Sequence, residues 1–309
     1  MHRFVAGALA ISWMAASAAV SNDLALSEAE VTAQRERLAR LGFALMLERQ
    51  KRLIRVSSAI RLHGAALCNG QLSPVTGIVA ATSAELPEAY RENAYRNHGV
   101  ADLLKVLWIL PDYPAAEVGL RSGDTILEID GRETHTAAYL DQRNPTDSKT
   151  FTALKVERGG EIFDLQFEAR NGCFRPAVLS VLDNVDAHTE GARMVVYSGM
   201  LRFAESDDEL AIVLAHELAH ELLGQKLSVE NAESEADYLG LYLVARAGYD
   251  VTVATKFARR LGAEFPLALE ERAGHIHPIS AARSIALADT LREIEEKLER
   301  GDPLEPRTR

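Results

Sequence analysis

The sequence predicts an α+β protein: a mostly helical domain with a small sheet, joined to a separate small β module. Three observations predict it. Residues 27–60 carry apolar side chains at helical spacing over a long run. Residues 207–223 read as a capped, apolar helix. Between them, residues 106–168 read as short strands punctuated by glycine turns. The chain has 309 residues, 47% of them hydrophobic, which is enough for a sizeable core and for one large or two modest domains. A net charge of −11 argues against a nucleic-acid partner, which would favour a basic face.

Taken in order, the chain opens on a targeting pattern. His2-Arg3 gives a positive start, residues 4–20 are uncharged and largely apolar, and Ala16-Ser17-Ala18 has the small-x-small form of a cleavage site. Together they predict a secretory signal peptide. No cysteine stands nearby to accept a lipid, so a soluble exported product is expected. The alternative is an uncleaved membrane anchor, for which the run is short. No other segment is long and apolar enough to span a membrane. Export makes Cys68 and Cys173 a candidate disulfide.

From Ser27 the pattern is helical, with Val31, Leu38, Leu41, Leu45, Leu53, Val56 and Ile60 on the apolar side and Arg and Glu opposite. Asn69-Gly70 breaks it. Residues 72–97 give no firm assignment beyond a candidate strand at 75–80. Residues 106–110 read as an apolar strand. A short helix then ends at Gly119, a turn follows at Ser122-Gly123-Asp124, and an alternating strand runs to a hairpin turn at Asp130-Gly131. A second hairpin joins 151–158 to 161–168 across Gly159-Gly160. Further strands are expected at 177–182 and 191–197. After the 207–223 helix, Gly248 closes one helix, Asp250 caps the next at 251–264, and a last amphipathic helix covers 280–300.

The chemistry is concentrated in His216-Glu217-Leu218-Ala219-His220, an H-E-x-x-H motif. On a helix, His216 and His220 project from one face and can hold one zinc ion, with Glu217 placed to act on a water there. Ser206 and Glu209 match a capping box ahead of it, and Gly224 offers a stop. Two histidines and a glutamate among Leu210, Val213, Leu214, Leu218 and Leu222 would be costly without a metal or other partners. A catalytic zinc needs a third ligand. The next acidic cluster supplies Glu233 and Asp237, four apart on a helix face, while Glu235 points about 160° away from Asp237. Glu233 is assigned to the metal. Asp237 is assigned to the far N–H of a ligand histidine, fixing its tautomer.

HELAH followed by Glu233-Ser234-Glu235-Ala236-Asp237-Tyr238-Leu239-Gly240 resembles the HtpX/BepA/Oma-type zinc endopeptidases of the gluzincin group. Asp208-Glu209-Leu210-Ala211, Asp183-Asn184, Met194-Val195-Val196, Gly199-Met200-Leu201 and His277-Pro278 with Arg283 extend the likeness over residues 176–291. The gap from His220 to Glu233 is much shorter than in many members, and Glu235 stays as the second candidate for the third ligand. The resemblance implies one Zn2+ per chain, and Glu217 as general base. It also implies His277 or Arg283 near the oxyanion, and 194–197 as the edge strand that aligns substrate. Pro114-Ala115-Ala116-Glu117-Val118-Gly119-Leu120 through Gly123-Asp124-Thr125-Ile126 to Gly131 resembles a PDZ domain over residues 99–170. That implies strand-addition peptide binding, with Gly99-Val100 as the candidate carboxylate-binding loop.

The expected organisation is a signal peptide at 1–20 and an N-terminal helix at 21–70 packing on the catalytic domain. A connecting segment at 71–98, the PDZ-like domain at 99–170, the metallopeptidase domain at 171–300 and a loose tail at 301–309 complete it. The function these readings imply is a periplasmic zinc endopeptidase acting on unfolded or damaged envelope proteins, with protein or peptide substrates and a peptide ligand for the PDZ module. The alternative is a latent or non-catalytic, chaperone-like binding protein that keeps the peptidase fold.

Overall fold

The structure is a computed structural model, and it describes residues 26–141, 151–168, 170–224, 229–265 and 280–307. The signal-peptide reading at 1–20 and His277-Pro278 lie outside the described residues. No helix among the described residues is long and apolar enough to cross a membrane.

Helix α1 (Glu28–Gly64) is the spine of the molecule. It starts at a capping box in which Ser27 and Glu30 satisfy each other's backbone N–H groups, as the sequence around Ser27 favours. Its apolar stripe is used unevenly. Leu53, Val56 and Ile60 are fully buried, but Leu38, Leu41 and Leu45 are 58%, 57% and 47% exposed. The first half of α1 has left the main core and is covered by the short helix α2 (Glu88–His98), so Phe43, Met46 and Leu47 become its buried face. The close approach is at Gly42, where any Cβ would run into the Tyr90 ring.

Residues 71–98, unassigned from sequence, fold as strand β1 (Leu72–Val75), strand β2 (Ile78–Ala81) and α2 (Glu88–His98). The single strand expected at 75–80 is split at Thr76-Gly77, where Gly77 takes φ +69°. Next come β3 (Leu104–Ile109), the one-turn helix α3 (Pro114–Glu117), β4 (Thr125–Ile129), β5 (Arg132–Glu133), β6 (Phe151–Arg158) and β7 (Glu161–Glu168). The sheet runs β2-β3-β4-β6-β7, with β5 paired to β4. It therefore begins at Ile78, upstream of the expected boundary at Gly99. Asp130-Gly131 and Gly159-Gly160 all have positive φ, the conformation that two-residue hairpins require. Leu104, Ile126, Leu154 and Val156 fill this module's own core.

The chain returns through β8 (Arg170–Cys173), which pairs antiparallel with β1. A three-stranded sheet follows, formed by β9 (Ala177–Ser180), β10 (Ala187–Glu190) and β11 (Arg193–Tyr197) in the order β10-β11-β9. Strand β11 is the central one. The stretch expected to align substrate, 194–197, is thus paired on both sides, and among the described residues the edges without a strand partner belong to β9 and β10. Helices α4 (Ser198–Phe203), α5 (Asp207–Leu223), α6 (Val229–Arg246), α7 (Ala254–Glu264) and α8 (Ala281–Arg300) complete the larger core.

Cys68 and Cys173 form a disulfide with a Cα–Cα distance of 5.6 Å, linking the end of α1 to β8 across 105 residues of sequence. Beside it, Arg61 is 1% exposed and donates to the Cys173 and Pro74 carbonyls, Ser73 Oγ and Asp141 Oδ2. Crosslinking so long a loop restricts the unfolded chain. Cys68→Ala/Cys173→Ala protein should therefore lose about 2–5 kcal/mol of unfolding free energy, read from denaturant midpoints.

Candidate metal centre

Helix α5 has the limits its sequence marks. Ser206 Oγ accepts from Glu209 N–H, and Gly224 closes the other end with φ +64°. The capping box is only half made. The Glu209 side chain accepts from Glu205 N–H and pairs with Arg260 at 2.6 Å, not with the Ser206 backbone. Leu210, Leu214 and Leu218 are fully buried, which fixes the rotation of α5 and turns His216 and His220 the same way.

Helix α6 supplies the other half of the centre. Glu233, Asp237 and Gly240 recur at spacings of four and three, on one face. A Cβ at Gly240 would lie 3.2 Å from His216 N and 3.3 Å from the Ala215 carbonyl, so the helices meet at backbone contact. This brings the side chains of Glu233 and Asp237 onto the histidines.

His216 Nε2 and His220 Nε2 are 3.0 Å apart, and Glu233 reaches them at 3.4 and 3.2 Å. Ligands about 2.0–2.1 Å from a tetrahedral ion lie about 3.3 Å from one another. The three donors therefore fit the ligand spacing of a tetrahedral divalent ion. His216, His220 and Glu233 are the group whose ligand atoms converge among the described residues. Glu235 is not among them, as its place around α6 dictates.

Asp237 Oδ1 lies 2.9 Å from His216 Nδ1. With Nδ1–H donating there, the Nε2 lone pair faces the centre. Burial alone would lower the His216 pKa, but hydrogen bonds to Asp237 and Glu233 outweigh it and raise it above the ordinary histidine value. Burial alone would raise Asp237; Arg283 and His216 instead hold it at about 2.

Arg283 holds the two carboxylates. Its Nε and Nη2 donate to Asp237 at 2.5 and 2.8 Å, and Nη1 donates to Glu233 at 2.9 Å. It also lines the cavity that His216 and Glu217 open on. Gly99 and Val100 do not form an open carboxylate-binding loop. Their N–H groups close the C-terminus of α2, on the Tyr95 and Ala94 carbonyls, and Val100 is buried.

Glu217 is 4% exposed and, with His216, opens on a cavity of about 120 Å³ whose far side is apolar: Met200, Ile212, Phe257, Leu261 and Leu287. Val185, Asp186 and Ala187, at the start of β10, form its rim. Arg175 pairs with Glu221 at 2.8 Å beside the motif, a contact with no local sequence signal because its acceptor is distant in sequence.

If Asp237 fixes the His216 tautomer, Asp237→Asn should weaken divalent-ion binding by about 10–100-fold. Competition against a chromogenic chelator measures this directly. Unchanged affinity would remove Asp237 from the centre.

Residues 174–230 match the model of peptidase family M48, a match that ends three residues before Glu233. Residues 105–145 match the PDZ domain model. No curated protein matches the chain. Among solved structures, the chain is similar to the HtrA3 PDZ domain bound to a phage-derived ligand (FGRWV). That likeness has 21% identity and a TM-score of 0.26, and covers 32% of this chain and 88% of that one. It is also similar to the HtrA-type protease AlgW with decapeptide, with 22% identity and a TM-score of 0.25, over 32% of this chain and 29% of that one. The chain thus matches under a third of AlgW's length. One chain thus carries a segment similar to peptidase family M48, which holds the two motif histidines, and a segment similar to a PDZ domain.

Proposed function

We propose that this protein is an exported zinc endopeptidase that hydrolyses unfolded or damaged envelope proteins, with its PDZ domain gripping peptide segments of substrates or partners. The observation that carries the proposal is the convergence of His216, His220 and Glu233 at tetrahedral ligand spacing, with Glu217 buried beside them. A purely structural site has no use for that glutamate. The signal-like residues 4–20 support export, and the M48 match supports a peptidase.

His216, His220 and Glu233 would hold the ion. When bound, zinc supplies Lewis acidity, making a water more acidic and drawing electron density from the scissile carbonyl. Asp237 keeps the Nδ1 proton of His216 in place, so the ring presents a lone pair and not a proton to the centre. The Glu217 carboxylate takes a proton from the attacking water and later delivers it to the amide nitrogen as the C–N bond breaks. The products are an amine and a carboxylate, and no covalent enzyme intermediate forms. The edge of β10, which has no strand partner among the described residues, would pair with an extended substrate backbone, and the largely apolar cavity beside Glu217 would keep bulk water from the proton transfer.

Glu217→Gln should keep zinc at full stoichiometry by elemental analysis, yet lose about 10²–10⁴-fold in casein turnover. Glu233→Ala should lose zinc, while Glu235→Ala should keep it. Turnover surviving in zinc-loaded Glu217→Gln would remove the assigned base, and zinc retained by Glu233→Ala would remove the assigned ligand.

A further inference from the structure

The two sheets each end in a free edge, and both edges line one cleft. Among the described residues β2 ends the PDZ sheet and β9 ends the peptidase sheet, and neither has a strand partner on its outer side. A cavity of about 570 Å³ lies between them, floored by Met46 and Ile54 of α1. The backbone register says what faces it. Val106 bonds across to Asp124 and Gly123, so its partner Ala80 turns its own N–H and C=O outward, and by alternation so does Ile78, whose N–H also donates to Thr76 Oγ1 at 3.5 Å. Met194 N–H bonds to the Pro176 carbonyl, so the parallel register turns the backbone groups of Ala177 and Leu179 outward from β9.

The walls are fixed relative to each other. Leu179 packs on the apolar cluster that contains Val79 and Ala81. At the base, Asp141 accepts from Arg61 on α1 at 2.8 Å and from the Thr76 N–H and hydroxyl at 3.1 and 2.7 Å. The acids along the cleft already have partners: Glu85 accepts from the Thr136 hydroxyl and the Ala137 N–H, Asp141 accepts from Arg61, and Glu190 accepts from Arg193. Selection there rests on backbone pairing and apolar contact more than on charge.

We infer that this cleft is a peptide site built jointly by the PDZ domain and the peptidase sheet, in which an uncharged extended segment lies between β2 and β9 and bonds to both. Strands of four residues on each side match a segment about 13 Å long. This rests on the peptide-gripping part of the proposed function and adds the second wall, and it does not require the metal centre to turn over.

The test uses full-length Glu217→Gln protein, so that a probe is not cleaved. Its ligand is a fluorescein-labelled heptapeptide of alternating Val and Ser, followed by anisotropy, with each backbone nitrogen methylated in turn. A strand held by one edge donates to it from alternate residues only. A strand held by two edges donates from successive residues. Losses of about five- to tenfold in affinity at adjacent positions are expected. Losses at alternate positions only would show that β2 alone holds the peptide and overturn the shared site. Absence of saturable binding would overturn it too. Leu179→Glu, outside the PDZ domain, should weaken the probe by a similar factor. Should that variant misfold, the methylation series on the parent protein still decides. A failure here leaves the casein and zinc results untouched, so the two readings fail separately.

Discussion

The metal centre depends on how closely two helices can pass. Gly240 removes the side chain that would otherwise separate α6 from the backbone of Ala215 and His216. The same face of α6 carries Glu233 and Asp237, so the residue that permits close approach and the carboxylates that need it are inherited together. Once there, the charges must satisfy one another. Asp237 stays ionised at about 2 only because Arg283 and His216 overcome its burial, and Arg283 in turn stays charged against its own burial through Asp237 and Glu233. Withdrawing any one member leaves an uncompensated charge in a dry place, which is costlier than the pair was favourable.

That geometry needs α5 held still, and α1 does this from outside the catalytic segment. Arg52 donates to the Leu201, Ala204 and Ser206 carbonyls and to Asp207, all at or just before the N-terminus of α5. Arg55 adds a second contact to Asp207. Burial works against the Asp207 charge, yet Arg55 and Arg52 keep its pKa below the ordinary carboxylate value. A negative group at that end also suits the helix dipole. Farther along α1, the disulfide and Arg61 tie the same helix to β8 and to the PDZ domain. One helix thus anchors the helix of the H-E-x-x-H motif, the returning strand and the PDZ-like module.

What was legible in the sequence was local. Cap, period and stop each lie within a few residues of α5, and the two hairpin turns announce themselves by glycines that tolerate positive φ. The spacing of His216, His220, Glu233 and Asp237 was legible for the same reason, since a helix converts spacing into direction. What was not legible depends on distant pairing. Strand β11 is apolar and alternating whether it is central or at an edge, and only the positions of β9 and β10 decide which. Leu38, Leu41 and Leu45 fit the helical stripe of α1, yet the larger core ends before it reaches them. Arg61 looked like one more cation on a polar face. Its burial is possible because Ser73, Pro74, Asp141 and Cys173, scattered over about a hundred residues, supply acceptors at one point. The charge of Arg283 was visible, but not that two buried acids would claim it.

The peptide module is more than an appendage to this core. Its Asp141 binds Arg61 and the Thr76 backbone just ahead of β2, so the edge strand of the PDZ sheet is positioned partly by the helix that holds the catalytic core. The opposite wall, β9, runs on through 181–186 into the rim of the catalytic cavity. That run is itself pinned, because Gly199 leaves just enough room for the Asn184 carbonyl, where any Cβ would collide. Packed interiors pass displacement between neighbours and do not absorb it. One continuous run, β9 and the segment after it, therefore lines the cleft beside β2 at one end and the cavity beside Glu217 at the other. Its course is set by ordinary parts: a short strand, a short connection and a glycine without room to spare.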